Sequence, residues 1–294
     1  MHDVLDWSAS TLRMGTPLAL AALGGFFSER CGLVNICLEG KMLFSAFIAA
    51  SVAAASGDPW LALLAAVLAG CCMAVMYGVF AMVLRADQIV AGTAINLLAF
   101  GLVPLLNKAW FGNTGGTPAL GSTALFTQAP LWIMVISVGL IWSMQRFTVI
   151  GLWHRVAGDN PHALDAAGVS VNGLRWWALL VSGGFAGAAG ASLSIFLSSS
   201  FSRDMTAGRG FMALAALILG RWKPVPSALA CLFFSGLDAL QIRLQTSSTA
   251  ALPAIKHLLQ VFPYLATLIV LAGVAGAHST PAAIGQLFRR GESR

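Results

Sequence analysis

The chain reads as a succession of charge-free apolar runs separated by short polar connectors. A bilayer-crossing helix needs about 20 apolar residues, range 17 to 25. The runs Pro59 to Leu84, Gln88 to Asn107, Ala109 to Gln145, Trp176 to Ser202 and His257 to Phe288 each qualify. Met14 to Ser28, Met42 to Gly57 and Val225 to Leu237 are shorter, bounded by single charges, and cross only if tilted or if they carry their polar flanks. Phe211 to Gly220 is half-length. The pattern predicts an all-α polytopic bundle of about 8–10 transmembrane segments, some broken or re-entrant, forming one domain over residues 1–294.

Composition agrees. Only 17 Lys+Arg and 11 Asp+Glu are present and 58% of residues are hydrophobic, with mean hydropathy +0.81. A soluble globule cannot hide so much apolar surface, so the lipid bilayer is the first partner. The net charge of +6 raises the question of nucleic acid, but the basic residues lie scattered between apolar runs, and no nucleic-acid partner is expected. His2, Asp3 and Asp6 precede the first apolar run without a basic region, which argues against a cleaved signal peptide. Glu29 and Arg30 stand where a lipidated Cys31 would want small residues. The five cysteines form no C-x-x-C pair and no zinc spacing, so they are expected to be small buried hydrophobes.

Lys and Arg beside the spans set orientation. The connector 146–175 holds Arg146, Arg155 and Arg175, and the tail holds Arg289, Arg290 and Arg294. Both are expected to be cytoplasmic. Alternation then places Arg30, Lys41, Arg85, Arg221 and Lys223 inside and the loop containing Asn113 outside.

Polar groups kept in so apolar a chain are the candidates for function. In Glu29 to Lys41, Asn35 and Glu39 lie between Gly32 and Gly40, which reads either as a short loop or as a broken segment approaching a conduit. In Ala86 to Gly101, Gln88, Gly92 and Asn96 recur at a spacing of four, with Thr93 beside them, and share a helix face. Asn96 is read as lining a polar path, with interhelical bonding as its alternative use. In the connector, Asp159 or Asn160 can cap a short helix with Pro161 in its first turn and Gly168 after its end. Ala163, Leu164 and Ala167 make an apolar ridge on it. His154, Asp159, His162 and Asp165 match no metal-ligand spacing. From Ser182 to Phe196, Gly183 and Gly187, then Gly190 and Ser194, make a flat ridge that lets a neighbouring helix approach. Met205 to Pro224 is a glycine-bounded half-helix. Asp238 is the one acidic residue placed mid-span.

The stretches ERCGLVNICLEGKM, DQIVAGTAINLLA, RVAGDNPHALDAAGVSV, TAGRGFMALAALILGRWKP and FPYLATLIVLAG, in this order between residues 29 and 273, closely resemble permease subunits of ABC importers of the branched-chain amino acid and simple-sugar superfamily. The nearest pattern is the shorter permease of nucleoside uptake systems served by a basic membrane lipoprotein. Cys31, Cys37 and Lys41 depart from it, where small or apolar residues are usual. The resemblance implies a type II ABC importer permease in a bacterial plasma (inner) membrane with its C-terminus cytoplasmic. It implies a second, different permease chain, a cytoplasmic ATP-binding subunit and an extracytoplasmic substrate-binding lipoprotein. Nucleosides are the expected cargo, with riboflavin or a simple sugar as alternatives. The expected pathway residues are Asn35, Glu39, Thr93, Asn96 and Asp238. The coupling helix maps onto Asn160, Pro161, Ala163, Leu164, Ala167 and Gly168, within the 146–175 loop.

No catalytic, cofactor or metal residue is expected in this chain. Gly40-Lys41 is followed by Met42 and lacks the spacing of a phosphate-binding loop, so ATP and magnesium are assigned to the partner ATPase. A stand-alone secondary transporter would have only Asp238 as a mid-span carrier. An intramembrane enzyme would need a nucleophile or acid-base constellation that the spans lack.

Overall fold

A computed structural model describes residues 2–246, 280–286 and 288. The FPYLATLIVLAG stretch, the tail arginines and most of the last apolar run lie outside them. Among the described residues ten α-helices follow one another: α1 His2–Arg30, α2 Leu38–Ser56, α3 Pro59–Gly78, α4 Gln88–Phe111, α5 Ala129–Phe147, α6 Val149–Asp159, α7 Pro161–Ala166, α8 Val171–Ser192, α9 Arg209–Leu219 and α10 Pro224–Thr246. A π-helical turn extends α3 over Val79–Val83, and another extends α8 over Leu193–Leu197.

Among the described residues, six helices are long and apolar enough to cross a membrane, and Arg209–Leu219 is a shorter apolar helix. Among the described residues, α1 and α9 bring the count to eight segments, the lower end of the sequence reading. α1 carries Asp6 and Arg13 in its first half and is buried on all sides from Gly15 to Glu29. The charge-free run Ala109 to Gln145 is not one helix. Gly112 ends α4 in the left-handed conformation, and an irregular stretch with a short 3-10 turn leads to α5.

Two spans form the centre: 72% of the α2 window and 78% of the α8 window are buried, against 28% to 44% for the other spans. α8 packs on α3, α2 and α1, while α10 lies along α1 and α9. The glycine ridge of α8 makes this possible. A Cβ added at Gly183 would meet the Cβ of Ala74 at 2.6 Å. Gly187 lies on Ala66 and Val67 of α3, and Gly190 on Met42 and Ala46 of α2. Lipid offers no hydrophobic drive for helices to associate, so close backbone approach supplies the dispersion contacts instead.

The region 146–175 is helical for most of its length rather than a solvated loop: it takes in the end of α5, α6, α7 and the first turn of α8. α6 buries Gly151, His154 and Ala157 and exposes Val149, Ile150, Leu152 and Trp153.

Candidate functional site: a buried polar junction between six helices

Residues 31–37 leave α1, turn, and enter α2 without regular structure, yet Cys31, Leu33, Asn35 and Cys37 are buried. The segment is therefore a buried break between helices, not a solvated loop. Irregular backbone at membrane depth survives only where protein satisfies its N–H and C=O groups, and here three neighbouring helices do so. Gln88 at the start of α4 accepts from the Val34 N–H through Oε1 at 2.8 Å. The Tyr77 hydroxyl of α3 donates to the Val34 carbonyl. Asn96 uses both ends of its amide: Oδ1 accepts from the Gly40 N–H at 2.8 Å, and Nδ2 donates to the Ile36 carbonyl at 3.0 Å. The second bond falls on the break and the first on an orphan donor in the first turn of α2.

Asn35 is saturated. Its Nδ2 donates to Ser28 Oγ at 2.7 Å and to Ser182 Oγ at 2.8 Å, and its Oδ1 accepts from Lys41 Nζ at 2.9 Å and Cys37 Sγ at 3.1 Å. Lys41, counted with the inner cations by charge alternation, is instead fully buried, its ammonium 5.3 Å from the centre of the Tyr77 ring. Arg175 is buried too. Its Nε donates to the Cys31 carbonyl and its Nη1 to the Gln286 carbonyl, both at 3.1 Å.

Glu39 reaches across to α9. Its Oε1 accepts from the Gly208 N–H at 2.8 Å and its Oε2 from the Gly210 N–H at 2.6 Å. Gly208 stands just before the helix with φ of 81°. The carboxylate thus caps α9 at its positive end, where helix dipole and free N–H groups both favour an anion. Gly210 lets it approach, since a Cβ there would meet the Glu39 Cα at 2.7 Å. At the opposite end of α9, the indole N–H of Trp222 donates to Glu29 Oε2 at 2.7 Å.

The structure brings Asn35, Glu39 and Asn96 together and leaves Thr93 and Asp238 apart. Thr93 lies on the exposed side of α4, its hydroxyl returned to the Val90 carbonyl. Asp238 is half-buried on α10. Ser28, Tyr77, Ser182 and Trp222 are not singled out from sequence, because isolated serines, a tyrosine and a tryptophan in apolar runs carry no spacing signal, and Arg175 and Glu29 are read there only as an orienting cation and as the edge of a polar segment.

In the connector, Asn160 caps α7 by accepting from the Ala163 N–H at 3.1 Å, Pro161 opens the helix and Gly168 follows it at φ 82°. The apolar ridge divides. Leu164 is only 2% exposed and packs with Phe26, Phe27 and Ala157, and Pro161 is buried beside it. His162, Ala163, Ala167 and Gly168 stay exposed. Asp159 pairs with Arg30 at 3.0 Å. His154 lies in the core, where Nε2 must donate to the Phe27 carbonyl at 2.9 Å. Nδ1 then accepts from Gln145 at 2.8 Å, which fixes the neutral tautomer. Burial pushes its pKa from 6.5 down to about 4, the bond to Phe27 opposes, and nearby Arg30 and Arg155 add to the fall. Residues 280–286 run beside this region: Ala283 N–H donates to the Gly158 carbonyl, Gly285 N–H to the Gly32 carbonyl, and Phe288 lies against His162.

A family model described as branched-chain amino acid transport system / permease component matches residues 8–271. The chain is 34% identical to the guanosine ABC transporter permease protein NupQ of Bacillus subtilis, with 96% of each chain covered. It is 33% identical to the nucleoside ABC transporter permease protein NupC of Lactococcus lactis, with 94% of each covered. It is 30% identical to a putative glucose ABC transporter permease protein, TsgC13, of Haloferax volcanii, covering 90% of this chain and 89% of that one. Among solved structures, an inward-facing putative metal-chelate type ABC transporter superposes with a TM-score of 0.55 at 19% identity, covering 92% of this chain and 85% of the other. That likeness concerns the fold.

Proposed function

The chain belongs to the family of branched-chain amino acid transport system permease components, and from that premise we propose that it forms one of the two membrane-spanning halves of an ATP-driven nucleoside importer. It is a multi-pass membrane protein and the permease component of an ABC transporter, not a catalytic subunit. The observation that carries the cargo is the match, along nearly the whole of both chains, to one permease named for guanosine and another named for nucleosides. The putative glucose permease keeps a sugar as the second reading, with riboflavin behind it.

In this reading a second permease chain completes the pathway, an extracytoplasmic lipoprotein delivers the solute, and a cytoplasmic subunit binds ATP and magnesium. The end carrying α6 and α7 is cytoplasmic, in a bacterial plasma membrane, and the C-terminal segment leaves from that end, since Phe288 lies against His162. α7 is the coupling helix and presents His162, Ala163 and Ala167, while Leu164 anchors it. The pathway wall is built on the polar junction. Asn35, Glu39 and Asn96 shape it by holding the break between α1 and α2. Thr93, on the exposed face of α4, and the half-buried Asp238 complete the conduit together with the second permease chain.

The test is uptake by proteoliposomes holding this chain with its partner subunits. ATP-dependent accumulation of labelled guanosine or uridine, outcompeting riboflavin and glucose, is the expected result. Accumulation of glucose or riboflavin with no nucleoside uptake overturns the cargo, and accumulation without ATP overturns the mechanism.

A further inference from the structure

Residues far apart in sequence gather five cations at the end of the molecule that carries α6. Arg30 ends α1, Arg146 ends α5, Arg155 lies on α6, and Arg221 and Lys223 flank Trp222 in the turn before α10; together they line a cavity of about 500 Å³. The scattered basic residues thus do form a patch once folded. Among the described residues, no carboxylate lines the cavity. Among the described residues, Arg30 alone of the five has a carboxylate within ion-pair distance, Asp159. The turn is held under strain, with Arg221 at φ 55° and Trp222 at φ 50°. Such backbone persists only where surrounding contacts impose it. Here the buried Trp222, bonded to Glu29, pulls the turn inward and leaves Arg221 and Lys223 exposed on either side of it.

Apart from Gln145, whose amide is bonded to His154, the other walls are mostly apolar. Trp142, Val225 and Pro226 line the same cavity, between the ends of two spans, α5 and α10. From Val225 an exposed stripe at a spacing of four, Val225, Leu229 and Phe233, continues along α10. α6 adds an exposed apolar ledge of Val149, Ile150 and Leu152 next to Arg155. A site for a soluble anion needs the cations and not the stripe. A headgroup site at the membrane boundary needs both, with phosphate among the arginines and acyl chains against the spans.

The geometry points to a binding site for an anionic phospholipid, its phosphate held by Arg146, Arg155, Arg221 and Lys223 and its acyl chain lying along Val225, Leu229 and Phe233. The site sits beside the connector that bears α7, so its occupant touches the elements through which the connector meets the membrane.

The full-length chain, purified and delipidated in mild detergent, is titrated with phosphatidylglycerol, phosphatidylcholine or glycerol 3-phosphate, with bound lipid counted by native mass spectrometry and thermal midpoint followed in parallel. Phosphatidylglycerol is expected to bind one to one and raise the midpoint, phosphatidylcholine to bind at least tenfold more weakly, and glycerol 3-phosphate not to reproduce the effect. Combining Arg146→Gln, Arg221→Gln and Lys223→Gln should weaken phosphatidylglycerol at least tenfold. Should the triple variant not purify, Arg146→Gln and Lys223→Gln alone should each weaken it, and Arg221→Lys should not. Equal binding of both lipids, undiminished binding by the neutralised variants, or full reproduction by glycerol 3-phosphate overturns the proposal. Undiminished lipid binding with loss of the ATP-binding subunit assigns the patch to that subunit and likewise overturns it.

Discussion

Asn96 is a polar side chain in a transmembrane helix whose amide is spent on the backbone of another segment. Replacing it by Leu leaves the Gly40 N–H and the Ile36 carbonyl without their partner in a medium that offers no water. Each such orphan costs about 1–3 kcal/mol, so Asn96→Leu should lower the thermal midpoint in detergent clearly, while Thr93→Val, on the exposed side, should not. An unshifted midpoint for Asn96→Leu would show that the bonds carry no weight. The spacing of Gln88, Gly92 and Asn96 disclosed this face in the sequence. Thr93, one residue on, is turned by about 100° and falls outside it. What the face meets was hidden, because main-chain groups of residues 34–40 leave no residue-type signature. His154 offers a second test at this scale. The unfolded chain takes a proton below pH 6.5, the folded one only near pH 4, so the folded state binds fewer protons between them. Stability is then full above pH 6.5 and falls as pH drops toward 4, by up to about 3 kcal/mol at roughly 1.4 kcal/mol per tenfold change in proton affinity. Thermal midpoints at pH 7.5 and 5 should differ more in the wild type than in His154→Gln, and equal slopes would remove His154 as the cause.

Among elements, α7 shows how far an apolar pattern can be read. Its cap, its proline and its terminal glycine were legible from residue types alone, because each answers a local backbone need. The ridge was not. Ala163 and Ala167 are four apart and share a stripe, whereas Leu164 is turned by about 100° and points into the core. The two halves of the ridge should separate by experiment. Leu164→Ala removes buried packing and should cost about 2–5 kcal/mol of stability. Ala163→Glu should leave the thermal midpoint within the range of a surface change, about 0.5 kcal/mol, yet lower ATP-driven uptake in the assembled importer. Unchanged uptake in Ala163→Glu would deny α7 its coupling role. α9 was legible as a half-helix from its glycine bounds. Its cap was not, since Glu39 lies 169 residues before the Gly208 N–H that it accepts from.

For the whole molecule, the apolar runs located the spans but said little of their order in space. The central placement of α2 and α8 left only a weak mark in hydropathy, with means of 1.4 and 1.6 against 1.9 to 2.3 for α3, α4 and α5, since the less buried α10 has 1.5. The small-residue ridge of α8 was the exception, since a bulky lipid-facing residue would serve as well anywhere except where two backbones must nearly touch. The Glu29–Lys41 stretch admitted two readings because burial of a polar turn depends on partners from three other helices. A constraint on chain length follows from how α9 is held. Glu39 grips one end and Glu29, through Trp222, the other, and eleven helical residues set those grips about 16 Å apart at 1.5 Å per residue. The segment from Glu29 to Glu39 and the segment from Gly208 to Trp222, α9 with its flanking turns, are therefore two rails of matched length. Side chains that take no part in these bonds or close approaches can be exchanged on either rail, but an insertion or deletion in one would have to be answered by a compensating change of length in the other.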